Sequence, residues 1–204
     1  MRYLSFDIEA TGLHESAYII EFACIPFDAV EREFNEDLKL HFFVKCPSFD
    51  ELAPDLNPWV VEHNEQLIRK AHDTGLTMPQ FRKTMIEYVE NQKVKDYFNN
   101  EQIILFGKSM NSIDIPFLSR DLGWDWVRKH FSHRVLDLTS FCKGLIDIGF
   151  LPVGYDSGTP LMNYFGMGEV AHTALEDAVN TAKLYMKLLD MIEITSSPIV
   201  DENI

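Results

Sequence analysis

Three β-rich runs open the chain before any helical period appears, and that order is the strongest restriction on its fold. From Tyr3 to Glu9 residues alternate, with Leu4, Phe6 and Ile8 on one face and Tyr3, Ser5, Asp7 and Glu9 on the other. A period of two is that of a strand. Ala17–Phe27 (AYIIEFACIPF) and Leu38–Lys45 (LKLHFFVK) are further β-rich runs around an acidic turn region, which predicts an antiparallel meander of three strands.

Helical periods follow at Trp59–Ala71 and Met78–Tyr97, divided by the breaker AHDTGLT, then at Ile113–Leu122, Leu138–Ile148 and Thr173–Met191. Brief strands are expected between them, at Ile103–Phe106 and Arg134–Leu136. The order is three strands, then mixed helix and strand, and the expected class is α/β: a mixed five-stranded sheet, an antiparallel meander of three strands plus parallel strands, flanked by helices. With 204 residues, 46% of them hydrophobic, the chain is expected to form one domain over residues 1–194, followed by a polar tail over 195–204. The Gly- and Pro-rich stretch Gly149–Ala171 reads as a mobile connection with a short helix near Leu161–Phe165.

Net charge narrows the partners. At −14, with 32 acidic against 18 basic side chains, the chain is poorly suited to gripping long duplexes. Short nucleic acid is not barred, because divalent cations held by clustered carboxylates supply positive charge locally. Cys24, Cys46 and Cys142 are odd in number and lack a C-x-x-C spacing, which points away from a disulfide framework or zinc cluster and toward a reducing, cytoplasmic setting. No window reaches the ~18 consecutive apolar residues of a membrane span, so no membrane partner is expected.

Asp7 and Glu9, two residues apart on a strand, project from one face about 6.6 Å apart along it. Close carboxylates raise one another's pKa unless a cation or hydrogen bonds stabilise the charged forms, and a hard divalent metal is the natural partner. In His172-Thr-Ala-Leu-Glu-Asp177, the T-x-x-E pattern places Thr173 at a helix N-cap and Glu176 at the third helical position. His172 then precedes the cap and Asp177 is the fourth helical residue, positions that meet in a hydrophobic staple. A ligand on a rigid first turn beside an imidazole able to take a proton is a workable pairing. Asp114 opens the apolar helix after the loop Gly107–Ile113, with Pro116 in its first turn. Taken singly, each signal has a plainer account: a solvated strand face, a surface histidine beside a cap, an N-capping aspartate.

Together, Ser5-Phe-Asp7-Ile-Glu9-Ala-Thr-Gly-Leu13, Asp114-Ile-Pro-Phe-Leu118 and His172-Thr-Ala-Leu-Glu-Asp177-Ala resemble the three motifs of DEDDh-type 3′→5′ exonucleases, in order and spacing. The histidine five residues before Asp177, with Thr173 where the sister group has tyrosine, favours this subclass. The resemblance implies a ribonuclease H-like fold, with Asp7, Glu9, Asp114 and Asp177 holding two Mg²⁺ or Mn²⁺ ions. It makes His172 the base that activates water, and single-stranded or short nucleic acid 3′ ends the partner. It further implies a terminal-nucleotide pocket at Thr11, Gly12 and Leu13, and a homodimer, as in several members. Trp59 with His63, the Gly107-x-Ser109 loop and Arg134-Val-Leu-Asp137 are similar to oligoribonuclease, although two spacings differ by one residue. Trp59, Lys108 and Ser109 are therefore further expected substrate contacts, Trp59 by stacking on a base or else as core, Lys108 at a phosphate. Asp137 is expected to cap a helix with Thr139. The rivals are a DNA-directed proofreading or repair exonuclease, and a catalytically silent module that binds single-stranded ends.

Overall fold

A computed structural model of the protein describes residues 1–156, 158–168 and 172–196. Strand β1 (Arg2–Ala10) pairs antiparallel with β2 (Ile19–Asp28), on which both β3 (Glu33–Phe34) and β4 (Leu40–Phe43) are laid antiparallel. A short helix α1 (Phe49–Leu52) leads to α2 (Pro58–Thr74), α3 (Met78–Glu90) and α4 (Gln92–Tyr97). Then come β5 (Leu105–Gly107), α5 (Asp114–Leu122), α6 (Trp124–His130), β6 (Leu136–Asp137), α7 (Leu138–Asp147), α8 (Gly158–Tyr164) and α9 (Ala174–Ser196). Strand β5 pairs parallel with β1, and β6 parallel with β5.

The mixed α/β sheet is as expected, but it has six strands and not five, because two-residue β3 also docks on β2. Two residues carry too little period to be seen in sequence. The predicted helix Met78–Tyr97 is two helices: Asn91 takes an extended conformation and its side chain accepts the Lys93 N–H, ending α3 and capping α4. Gly123, at φ 97°, likewise separates α5 from α6, a left-handed conformation that favours glycine. Neither α1, with its Ser48–Glu51 capping box, nor α6 was foreseen. Thr195 and Ser196 close α9 and do not begin a tail, with Thr195 Oγ1 donating to the Met191 carbonyl at 2.9 Å; the rest of the expected tail lies outside the described residues. Within Gly149–Ala171, Leu151, Leu161 and Met162 are buried in a core, so this stretch is a packed part of the fold as far as it is described.

Each sheet face has its own core. Leu4, Phe6 and Ile8 pack with Phe22, Phe81 and Met85. The opposite face of β1 is buried too, against α9: Tyr3 meets Tyr185 edge-on at 6.2 Å, and Ser5 Oγ donates to the Ala178 carbonyl at 2.6 Å. Ala174, Ala178 and Ala182, one turn apart, are fully buried and let the helix approach the sheet closely. Tyr185 lies over the Tyr3 end of β1 and Ala178 over Ser5, so the start of α9 falls over Asp7 and Glu9. The helix packing that buries the strand also delivers its first turn to the acidic end.

Candidate active site

The acidic end of β1 opens into a cavity of about 1130 Å³. Asp7, Glu9 and Asp177 stand together there, each with a carboxylate oxygen within 4.8 Å of the others. A register shift at Glu9–Ala10 marks the end of regular pairing with β2, a common way to re-aim side chains beside a site. Asp177 is buried on α9, where its N–H donates to the Thr173 carbonyl at 2.9 Å and Thr173 Oγ1 donates to Glu176 at 2.8 Å. The predicted helix start and its Thr173–Glu176 contact are thus present.

Asp114 lines the same cavity but lies outside that closest trio. It is the first residue of α5 and not its cap, which is Ile113. Parallel pairing of β1 with β5 reaches only Ser5, and Asp114 Oδ1 accepts the Ile8 N–H at 3.1 Å beyond it. A buried amide past the end of a short neighbouring strand is thereby satisfied. Gly107 allows the loop to turn close to β1: a Cβ there would sit 3.1 Å from the Phe6 carbonyl oxygen.

Electrostatically the site is under-neutralised. Burial, then Asp114, Glu9 and Asp177, push the Asp7 carboxyl well above its ordinary range. Burial and the neighbouring acids raise Glu9 to about 7, and burial likewise raises Asp114. Lys108, on the cavity wall, opposes all three shifts. Clustered oxygen donors of one charge, half-buried or buried and too close to be ionised together without help, fit a hard divalent cation.

His172 is exposed at the cavity edge, with φ 55° and its ring edge-on to Trp59 at 5.8 Å. Trp59 stacks on His63 at 4.3 Å and is 48% exposed, so it is no core residue. Leu13 is 81% exposed at the cavity mouth beside Gly12, whereas Thr11 is buried, its Oγ1 accepting the Tyr18 N–H at 2.9 Å. The Ser109 hydroxyl is hydrogen-bonded with Thr139 at 3.0 Å. Asp137 does cap α7, though with Ser140 N–H at 2.9 Å and not with Thr139, and it also accepts the Met110 N–H at 3.1 Å, holding the loop before Asp114.

Sequence reading missed Glu21. It faces Glu9 across the β1–β2 register, is 2% exposed, and is hydrogen-bonded to His41 Nε2 at 2.6 Å and to the Ala174 N–H at 3.1 Å. The available signal was a lone carboxylate inside the otherwise apolar run of β2, which burial tolerates only with partners.

Among the described residues no helix is long and apolar enough to cross a membrane, and the three cysteines are free and buried. Several solved structures share the fold. Cell-death related nuclease 4 (CRN-4) matches with a TM-score of 0.65 at 16% identity, over 93% of this chain and 64% of that one. The nuclease domain of 3′hExo, a DEDDh family member bound to rAMP, matches with 0.61 at 17%, over 93% and 92%. E. coli exonuclease I in complex with a 5cy-dT13 oligonucleotide matches with 0.66 at 17%, over 95% and 42%. The chain therefore spans under two thirds of CRN-4 and under half of exonuclease I. No curated protein matches it. The fold is the ribonuclease H-like one that the motifs implied. The family model described as Exonuclease (RNase_T) matches residues 4–185, from the first strand into the last helix, and the chain belongs to that family.

Proposed function

We propose that the protein is a metal-dependent 3′→5′ exonuclease that releases nucleoside 5′-monophosphates from single-stranded or short nucleic acid, short RNA being preferred. The observation that carries this is the trio of half-buried Asp7 and Glu9 with buried Asp177, within 4.8 Å of one another in the cavity of an exonuclease-family chain.

Asp7, Glu9, Asp114 and Asp177 are the residues that would hold two Mg²⁺ or Mn²⁺ ions. When bound, such ions offset the carboxylate charge, lower the pKa of the attacking water and stabilise the departing oxygen. His172 takes the proton from that water as its oxygen attacks phosphorus. The P–O3′ bond breaks, leaving the phosphate on the released nucleotide, while the departing 3′-oxygen takes a proton from solvent to become the new 3′-hydroxyl of the shortened strand. His172 has room to move at the cavity edge, and Trp59 supports its ring from the side. Thr11, Gly12 and Leu13 receive the terminal nucleotide, the exposed Leu13 side chain against its base. Trp59 stacks on a base, and Lys108 meets a phosphate. Ser109 contributes through the Thr139-bonded loop wall.

Net charge −14 favours short strands over long ones. The oligoribonuclease-like residues and the rAMP bound to 3′hExo support RNA; the oligonucleotide bound to exonuclease I supports the DNA reading. Matched 5′-labelled RNA and DNA oligonucleotides of roughly two to twenty nucleotides, a length range set to compare short with long single strands, decide between them, with Mn²⁺ or EDTA and an Asp7→Ala control. Stepwise 3′ shortening that needs metal and Asp7 is expected, fastest on short RNA. Faster DNA cleavage would favour the rival substrate, and no cleavage would leave a silent end-binding module.

A further inference from the structure

The loop between β1 and β2 forms one wall of the cavity and is held from three sides. Its base is closed by Thr11 N–H to the Tyr18 carbonyl and Tyr18 N–H to Thr11 Oγ1, both 2.9 Å. Its middle is closed by Ala17 N–H to the His14 carbonyl, also 2.9 Å. The third hold comes from another element: Arg120 of α5 donates Nη1 to the carbonyls of Glu15 and Ala17, at 2.6 and 2.7 Å.

That guanidinium is itself immobilised. Its Nε and Nη2 donate to the two oxygens of Asp121 at 2.7 and 2.6 Å, and its Cζ lies over the Phe117 ring, 4.7 Å from the centroid. Asp121 and Phe117 are both buried, so the base of the clamp is part of the core. Four of the five N–H donors of a guanidinium are thereby engaged, leaving little with which to bind a phosphate. Six residues earlier the same helix begins with Asp114.

We infer that Arg120 is a positioning residue for the 3′-terminal nucleotide. By fixing Glu15 and Ala17 to the helix that carries Asp114, it sets the Thr11–Leu13 strip at a constant distance from the carboxylates. An exposed apolar side chain at the tip of a tethered loop loses little further freedom on binding, which is how preorganisation raises affinity. A lysine cannot reproduce the planar fork, so Arg120→Lys keeps charge and loses geometry. The inference rests on the nucleotide-pocket reading proposed above.

The test compares wild type with Arg120→Lys and Arg120→Met. Three readouts are taken: amide exchange in residues 11–18, dissociation of a short RNA in Ca²⁺ followed by tryptophan fluorescence, and turnover in Mn²⁺. Loop amides are expected to exchange about tenfold faster in Arg120→Lys. The dissociation constant and KM should rise about five- to tenfold through lost preorganisation, with kcat within about twofold. Arg120→Met, which keeps the aliphatic stem over Phe117, should show the same split; if it fails to fold, Arg120→Lys decides. Unchanged exchange would overturn the clamp. Faster exchange with unchanged binding and KM would reduce it to a structural tether and overturn its role toward the nucleotide. A wild type that neither binds nor cleaves refutes the underlying pocket reading, and the inference with it, before any variant is made.

Discussion

Glu21 Oε2 accepts the backbone N–H of Ala174 at 3.1 Å, joining the second strand to the first turn of the last helix across 153 residues of sequence. That turn also presents Asp177, and an anion at a helix N-terminus is favourably placed against the helix dipole. Glu21→Ala would leave the Ala174 amide and the His41 imidazole without this partner. It is expected to cost about 2–3 kcal/mol, in the range for stranding buried polar groups. Glu21→Gln, which keeps an acceptor, should cost about 1 kcal/mol. Urea unfolding in EDTA checks both, and equal losses would mean that volume, not hydrogen bonding, holds the helix start.

Replacing Asp7 separates function from stability. Asp7→Asn removes one of several clustered like charges while preserving shape. Metal-dependent cleavage should fall by about a thousandfold or more, whereas the metal-free protein should gain about 1 kcal/mol, the usual trade where a functional site is strained. Thermal melts in EDTA beside a cleavage assay would show the two changes, and a less stable Asp7→Asn would contradict the repulsion described here.

The same carboxylates set a pH dependence. Burial and repulsion raise Asp7, Glu9 and Asp114 in the metal-free fold, Glu9 to about 7, while unfolded carboxylates titrate near ~4. Between roughly pH 4.5 and 7 the folded chain holds more of these protons than the unfolded one, so their contribution to stability is lost as pH rises through that window. Cation binding favours the ionised form. The rise in melting temperature on adding Mn²⁺ should therefore be larger near pH ~8 than near pH ~5.5. An equal rise at both would show that these groups do not titrate with the metal.

His172 and Trp59 touch but should fail differently. His172→Ala is expected to lower kcat by about 10²- to 10³-fold with little change in KM, the usual effect of losing a general base. Trp59→Ala should raise KM about tenfold through lost base stacking. It should also reduce kcat modestly, since its ring edge supports the imidazole. Steady-state kinetics on a short RNA separates the two patterns.

Much of this arrangement was readable from residues alone. The D-x-E of β1, the helix start at Thr173 and the loop before Asp114 each leave a local pattern, and the structure gathers Asp7, Glu9 and Asp177 from opposite ends of the chain. What could not be read depends on packing. The face carrying Tyr3 and Ser5 alternates as a solvated face would, yet α9 covers it. Asp114 has the spacing of a cap, but its acceptor is taken by the Ile8 amide, a consequence of where β5 stops pairing. Glu21 and Arg120 lie outside the three motifs, and their roles emerge only when strand, loop and helix are adjacent. The break at Asn91 is a conflict between local signals: helical period runs through it, while its own side chain offers the backbone a cap.

The alanine stripe of α9 fixes a rotational phase. Ala174, Ala178 and Ala182 seat the helix on β1, and Asp177 is aimed at Asp7 and Glu9 only because it stands one residue before the middle contact. One residue inserted between Ala178 and Ala182 would turn everything beyond it by about 100° relative to Asp177. Either the carboxylate would leave its group or Tyr185 would leave its seat over Tyr3. In this stretch the chain is constrained in length as strictly as in identity, with spacing itself acting as the carboxylate's aim.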